Sequence, residues 1–359
     1  MSAAPRRITM VLGMHRSGTS LCSHLLSVMG IDMAGQIASD GSNAKGHWER
    51  PEIVAFHDTI LQLFGRDWYS PDHALALPAG WWADPRVRAV RDQAIDWLDG
   101  QLQRHRRFGF KDPRAARLLP FWREVCSALE LEPSYVLCLR SPAQVARSLA
   151  ARDEIDAADA EYRWAVYNAH AIQDIGAAPV CVIPYEGWFT APQDNTARLI
   201  AHLGLPWDAA DPALEELVAE IADAGLRHDD HRPGASGAFC RMLHRRILQA
   251  APSGCFGETL RETAAVFVGV EQLMRPLQQA AASVSALQAR CEAAEAELAE
   301  MRAREALAAA SNAVPLHRNP VDSQGIAATA MTASSKAPRY GHTRPIASSG
   351  VAPPMAQEK

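Results

Sequence analysis

Four short apolar runs, Ile8–Leu12, Phe108–Phe110, Tyr135–Leu139 and Val180–Ile183, show no polar alternation. Strands of that kind suit burial on both faces of a parallel sheet. Helical patterns lie between them: Ser20–Met29, Ile53–Phe64, Arg86–Gln103, Leu118–Leu129, Ala143–Arg152 and Ala160–Ile175. Strands alternating with helices predict an α/β core of three layers around a doubly wound parallel sheet, over residues 5–207.

After Trp207 the strand signal stops. Residues 208–276 read as a helical extension of the core, with helices over 212–224 and 237–250 flanking the loop RHDDHRPGASG. Residues 277–308 read as one long helix. Its apolar positions Leu277, Ala280, Val284, Leu287, Cys291, Ala294, Leu298 and Met301 alternate in steps of three and four, the seam of a coiled coil. Alanine and cysteine make that seam thin, so it suits packing on the core as well as a homodimer through residues 277–301. Residues 309–359, rich in Ala, Ser, Pro, Thr and Gly, read as a disordered tail.

Composition narrows the partners. The 359 residues carry 36 Lys and Arg against 41 Asp and Glu, a formal charge of −5. A net acidic chain offers nucleic acid no global attraction, so any anion site has to be local. No apolar run reaches the ~18 residues of a membrane span. The first residues, MSAAPRRITMVLGMHRSG, resemble neither a secretory signal nor an anchor. The seven cysteines are never spaced C-x-x-C. A reducing, cytoplasmic setting is therefore the expectation.

The most informative segment is MVLGMHRSGTSLCSHLL, in which a strand ends at Gly13 and a helix opens near Thr19. Backbone N–H groups in such a turn, with the helix N-terminus, cradle phosphate. Gly13 and Gly18 have the G-x-x-x-x-G spacing of a Walker A loop, but Thr19 and Ser20 stand where Lys and Ser or Thr belong. The loop offers its cation earlier, at Arg16. It suits a phosphate-like group and not a magnesium-bound triphosphate. Arg140 then follows the third strand in LCLRSPAQVARSLAAR, with Ser148 about two turns into the next helix. A guanidinium fork at a strand's carboxyl end can chelate a second phosphate, and a nearby hydroxyl can donate to it. Gly13, Lys111 and Arg140 are expected to meet in one crevice.

The loop HRSGTS, the motif R-S-P-x-x-V-A-x-S and the element FKDPR together resemble the sulfotransferases that use 3′-phosphoadenosine 5′-phosphosulfate (PAPS). VIPYEGW (Val182–Trp188) and ARLIAHLGLPW (Ala197–Trp207) are weaker echoes, and the likeness spans residues 8–207. The resemblance implies that His15, Arg16, Ser17, Gly18, Thr19 and Ser20 hold the 5′-phosphosulfate, and Arg140 and Ser148 the 3′-phosphate. It is closest to the carbohydrate, tyrosine and bacterial branches, whose base is a glutamate. Glu49 in KGHWERPEIV is then the base, and Lys111 and Arg16 act on the transferring group. The bland alternatives are a helix-start charge for Glu49 and a strand-end pair with Asp112 for Lys111.

These residues imply sulfuryl transfer from PAPS to a hydroxyl or amine of a saccharide or small molecule, with no metal required. A P-loop kinase of a small metabolite is the first alternative, disfavoured by Thr19. A silent nucleotide-binding scaffold acting through the C-terminal helix is the second. His228 and His231 are weak metal candidates in a loop. Trp48, Trp81, Trp82 and Trp164 could line an acceptor cleft or fill the core, with Trp164 assigned to the core. Arg104–Arg107 reads as a solvated helix end.

Overall fold

A computed structural model of the chain describes residues 6–33, 46–67, 76–222 and 236–312. Four strands form one parallel sheet: β1 (Arg6–Leu12), β2 (Phe108–Lys111), β3 (Leu131–Leu139) and β4 (Val180–Pro184), in the order β2-β1-β3-β4. Met10 lies in register with Phe110 on one side and Tyr135 on the other. Strand β3 starts four residues before the expected Tyr135, because half-exposed Pro133 and Ser134 hide its opening from a search for apolar runs.

Successive side chains leave a strand on opposite faces, and here both faces are covered. Ile8, Met10 and Leu12 point into a core shared with α2 (Pro51–Leu63), α3 (Pro85–Arg104), α4 (Leu119–Ala128), α5 (Pro142–Asp153) and α6 (Ala157–Ile175). Trp122 and Trp164 are fully buried there. Val11, Val136 and Cys138 point the other way, toward α1 (Thr19–Val28), the short α7 (Gly187–Thr190), α8 (Pro192–Leu203) and α9 (Pro212–Ile221). The result is the expected three-layer, doubly wound α/β arrangement.

Local chemistry sets the helix starts. Pro51, Pro85, Pro142, Pro192 and Pro212 each open a helix, where the missing N–H costs no bond. Asp84, Asp156 and Asp211 accept the first free N–H groups of α3, α6 and α9.

Beyond the sheet lie α10 (Ala238–Ala250) and α11 (Glu258–Asn312). The sequence reading starts the long helix at residue 277, after Pro276; in the structure it already runs from Glu258, with Pro276 inside it. A buried face holds this first part: Leu260, Ala264, Val268 and Glu271 are covered, and Glu271 Oε2 meets His170 Nε2 of α6 at 2.7 Å. That anchorage outweighs the backbone bond which Pro276 cannot donate.

The chain divides into two compact units, residues 1–293 and 294–359. The first contains the whole sheet. In the second, Arg304 pairs with Glu300 at 2.6 Å one helical turn away. No helix among the described residues is long and apolar enough to cross a membrane. The loop with His228 and His231, and the tail from residue 313, lie outside the described residues.

Candidate functional site

The carboxyl ends of all four strands open on one cleft. After β1 come His15, Arg16, Gly18, Thr19, Ser20 and Leu21; at the end of β2 stands Lys111, with Pro113 beyond it; after β3 comes Arg140, and after β4 Tyr185. His47, Trp48 and Glu49, from the segment before α2, close one side. The cleft holds about 850 Å³, part of it open to solvent. It sits where the strand order reverses beside β1, the usual place for a ligand in an open α/β sheet.

Glycine is required twice in the loop after β1. Gly13 has φ +142°, and a Cβ there would lie 2.6 Å from the Cys138 carbonyl oxygen of β3. Gly18 has φ +84°, and a Cβ there would lie 2.6 Å from the Tyr185 ring. Between them Arg16 is held at φ +67°, a conformation that costs an ordinary residue free energy. Helix α1 then opens with no side-chain cap on its N-terminus, which leaves backbone N–H groups and the positive end of the helix dipole to an anion.

Arg16, Arg140 and Ser148 come together. Arg16 Nε donates to Ser148 Oγ at 2.8 Å, and Arg140 donates to the Arg16 carbonyl at 3.0 Å. The Arg140 guanidinium lies over the Tyr185 ring, 4.1 Å from its centroid. Its own carbonyl accepts from Trp164 Nε1 at 3.0 Å, so that buried indole braces the turn after β3. Burial, and then the like charges of Arg152 and Arg140, pull the Arg16 pKa below its ordinary value. An anion between these guanidinium groups would relieve that repulsion.

Glu49 and Lys111 form the second group. Lys111 Nζ donates to Glu49 Oε1 at 2.6 Å, and Arg114 lies 3.6 Å from Glu49 Oε2. Glu49 precedes the cap residue Arg50, and the acidic residue in the first turn of α2 is Glu52. Lys111 takes Glu49 as partner, whereas Asp112 turns the other way. Asp112 accepts from the backbone N–H and the guanidinium of Arg114, at 2.7–3.1 Å. It also lies 3.3 Å from His57 Nδ1. Trp122 Nε1 donates to His57 Nε2 at 2.7 Å, which leaves the ring proton on Nδ1, facing the carboxylate. Burial works to raise the Asp112 pKa; His57 and Arg114 overcome it and hold the carboxyl well below its ordinary range. Arg114 reaches Asp58 of α2 as well, at 2.6 Å.

Not every expected residue faces the cleft in the same way. Ser17 is buried under the loop. Ser148 is met through Arg16, and the Ser20 hydroxyl donates to the His47 carbonyl at 3.1 Å. Of the tryptophans, Trp48 lines the cleft and stacks on His24 with ring centroids 4.6 Å apart. Trp164 and Trp81 are core, and Trp82 is exposed.

Sequence reasoning gave no role to Arg152 and Tyr185, which line the cleft, or to Arg114 and His57 behind it. Arg152 ends the same LCLRSPAQVARSLAAR segment as Arg140, and Arg114 ends FKDPR, so both were in view. Nothing in the pattern of α2 sets His57 apart.

No protein-family profile matches this chain, and no curated protein matches it. Among solved structures it is similar to a sulfotransferase domain from the Synechococcus PCC 7002 olefin synthase, at 18% identity and a TM-score of 0.42, covering 69% of this chain and 96% of that one. It is similar to a sulfotransferase domain from the curacin biosynthetic pathway, at 18% identity and a TM-score of 0.37, covering 73% and 90%. A sulfotransferase from Alicyclobacillus acidocaldarius follows at 16% identity and a TM-score of 0.31, covering 64% and 98%.

Proposed function

We propose that this chain is a PAPS-dependent sulfotransferase acting on a hydroxyl or amine of a saccharide or small-molecule acceptor. The observation that carries this reading is the convergence of two groups on one cleft. The Arg16–Arg140–Ser148 cluster suits the phosphates of the donor, and the Glu49–Lys111 pair stands on the same cleft for the transfer step.

The fit is electrostatic. Arg16, Lys111, Arg140 and Arg152 line the cleft against the carboxylate of Glu49, an excess that suits a ligand with several negative charges. The donor supplies a sulfuryl group already activated by its bond to a phosphate. Glu49 takes the proton of the acceptor as its oxygen or nitrogen attacks sulfur, a contribution of ~10²–10⁴-fold when the base is well placed. The bond from sulfur to the bridging oxygen breaks, and Lys111, Arg16 and the backbone around Gly18 meet the charge left on that oxygen and its phosphate. The 2.6 Å ion pair couples these events. Once Glu49 is protonated it releases Lys111 Nζ, just as charge builds on the leaving oxygen.

The reading is tested by calorimetry with adenosine 3′,5′-bisphosphate, adenosine 5′-monophosphate and ATP, followed by mass-shift screening of acceptors with labelled PAPS. Tight binding of the bisphosphate without magnesium is the expected result. Preference for magnesium–ATP would favour a kinase, and binding with no acceptor modified would favour a silent scaffold.

A further inference from the structure

Helix α11 has two faces. Leu260, Ala264, Val268 and Glu271 bury one of them in the core. On the other, Val266, Val270, Leu273 (79% exposed) and Leu277 (63% exposed) stand in solvent. These four are spaced four, three and four residues apart, the a and d positions of a heptad repeat. The same register continues through Val284, Leu287, Leu298 and Met301, all exposed. Of ten large apolar residues exposed on this helix, eight fall on that one stripe. The seam thus begins eleven residues before Leu277, on helix that is already anchored.

We propose that this stripe is an interface with a second copy of the chain, in a parallel, in-register, two-stranded coiled coil over residues 266–301. The charges beside the stripe select the occupant and its direction. With Val284, Cys291 and Leu298 at a, and Leu287 and Met301 at d, the flanking g positions are Arg290 and Glu297, and the e positions are Glu295 and Arg302. In a parallel dimer each g residue faces the e residue five positions later on the other chain. Arg290 then meets Glu295 and Glu297 meets Arg302, each twice by symmetry, and all four pairs attract. An antiparallel pair that places Arg290 against Glu297 makes two such pairs and leaves Glu295 beside Gln288. Val284 at a with Leu287 at d is the combination that favours two strands.

Sedimentation equilibrium on the full chain tests this with Glu297→Arg, Arg302→Glu and the double variant. A micromolar or tighter dimer is expected, weakened by about 3- to 10-fold in each single variant, where two attracting pairs become repelling ones, and restored in the double variant. Leu273→Glu, at a site so exposed that folding does not depend on it, should abolish the dimer with the melting temperature of the core unchanged. In a Cys255→Ser background, bismaleimidoethane should join Cys291 to Cys291 of the second copy. A chain that stays monomeric at about 50 μM overturns the proposal. So do single charge reversals that bind as tightly as the parent, or a double variant no tighter than either single one.

Discussion

Arg16 Nε donates to Ser148 Oγ at 2.8 Å, and the contact joins residues 132 positions apart. It ties the loop after β1 to α5, and Arg140 closes the triangle through the Arg16 carbonyl. Ser148 therefore positions the loop arginine, and on the proposed function it would serve the 3′-phosphate through that contact. Ser148→Ala should weaken adenosine 3′,5′-bisphosphate by at least about 10-fold, the worth of one hydrogen bond to a charged group. Titration calorimetry of both proteins measures it.

Arg140→Ala removes a charge-assisted partner worth about 1.5–3 kcal/mol. The preference for adenosine 3′,5′-bisphosphate over adenosine 5′-monophosphate should fall by at least about 10-fold, with monophosphate affinity nearly unchanged. Competition binding with both nucleotides reads the ratio. An unchanged ratio would remove Arg140 from the 3′-phosphate.

Glu49→Gln keeps the volume of the side chain and cannot take a proton. Turnover should fall by at least ~10²-fold while nucleotide affinity stays within a few-fold. Lys111→Ala should also lower turnover, through charge left unmet on the leaving oxygen. An acceptor that ionises readily, such as an activated phenol, should partly rescue Glu49→Gln and rescue Lys111→Ala much less. Steady-state kinetics with both acceptors separates the roles. Near-normal turnover in Glu49→Gln would pass the role of base to His15 or His47, which line the same cleft.

Asp112 carries a stability prediction with a definite sign. Its folded pKa lies below the unfolded value, so it stabilises the fold above about pH 4 and loses that effect as pH falls through the folded pKa. Asp112→Ala leaves the Arg114 guanidinium buried without its main partner, which costs about 3–5 kcal/mol at neutral pH. Urea melts at pH 7 and pH 3 should show the penalty shrinking at the lower pH.

Asp174, near the end of α6, has the opposite sign. Burial, against the pull of His170 and Arg123, raises its pKa to about 6. A carboxyl with a raised folded pKa favours the fold below about pH 4, and that contribution is lost as pH rises toward 6. Asp174→Asn should therefore raise the melting temperature at pH 8, by about 1–2 kcal/mol of stability, and change little at pH 4. Thermal melts at the two pH values check the crossover.

The sheet was legible because each buried strand reads as a continuous apolar run, and the loop because Gly13 and Gly18 bracket a strand-to-helix turn. The partner of Lys111 was not. Adjacent residues at a strand end point to opposite sides, so Lys111 faces the cleft while Asp112 turns toward His57. The His57–Asp112 contact needs α2 to lie against the turn after β2, a tertiary fact with no local signature. The early start of α11 was hidden by Pro276, which marks a boundary in a sequence and is tolerated in a helix held by its buried face.

Gly13 presses the turn after β1 against the Cys138 carbonyl, so that even a methyl group would part β1 from β3. The loop that carries Arg16 leaves β1 at Gly13 itself, and Arg140 follows Cys138 of β3 by two residues. Their separation is therefore fixed by the pitch of the sheet, and side-chain motion alters it little. On the proposed function the cleft would serve as a ruler, selecting anions joined by a spacer of one length over those held closer or farther apart. Adenosine 2′,5′-bisphosphate, with the same charge on a different carbon, should be the measured loser against its 3′,5′ isomer.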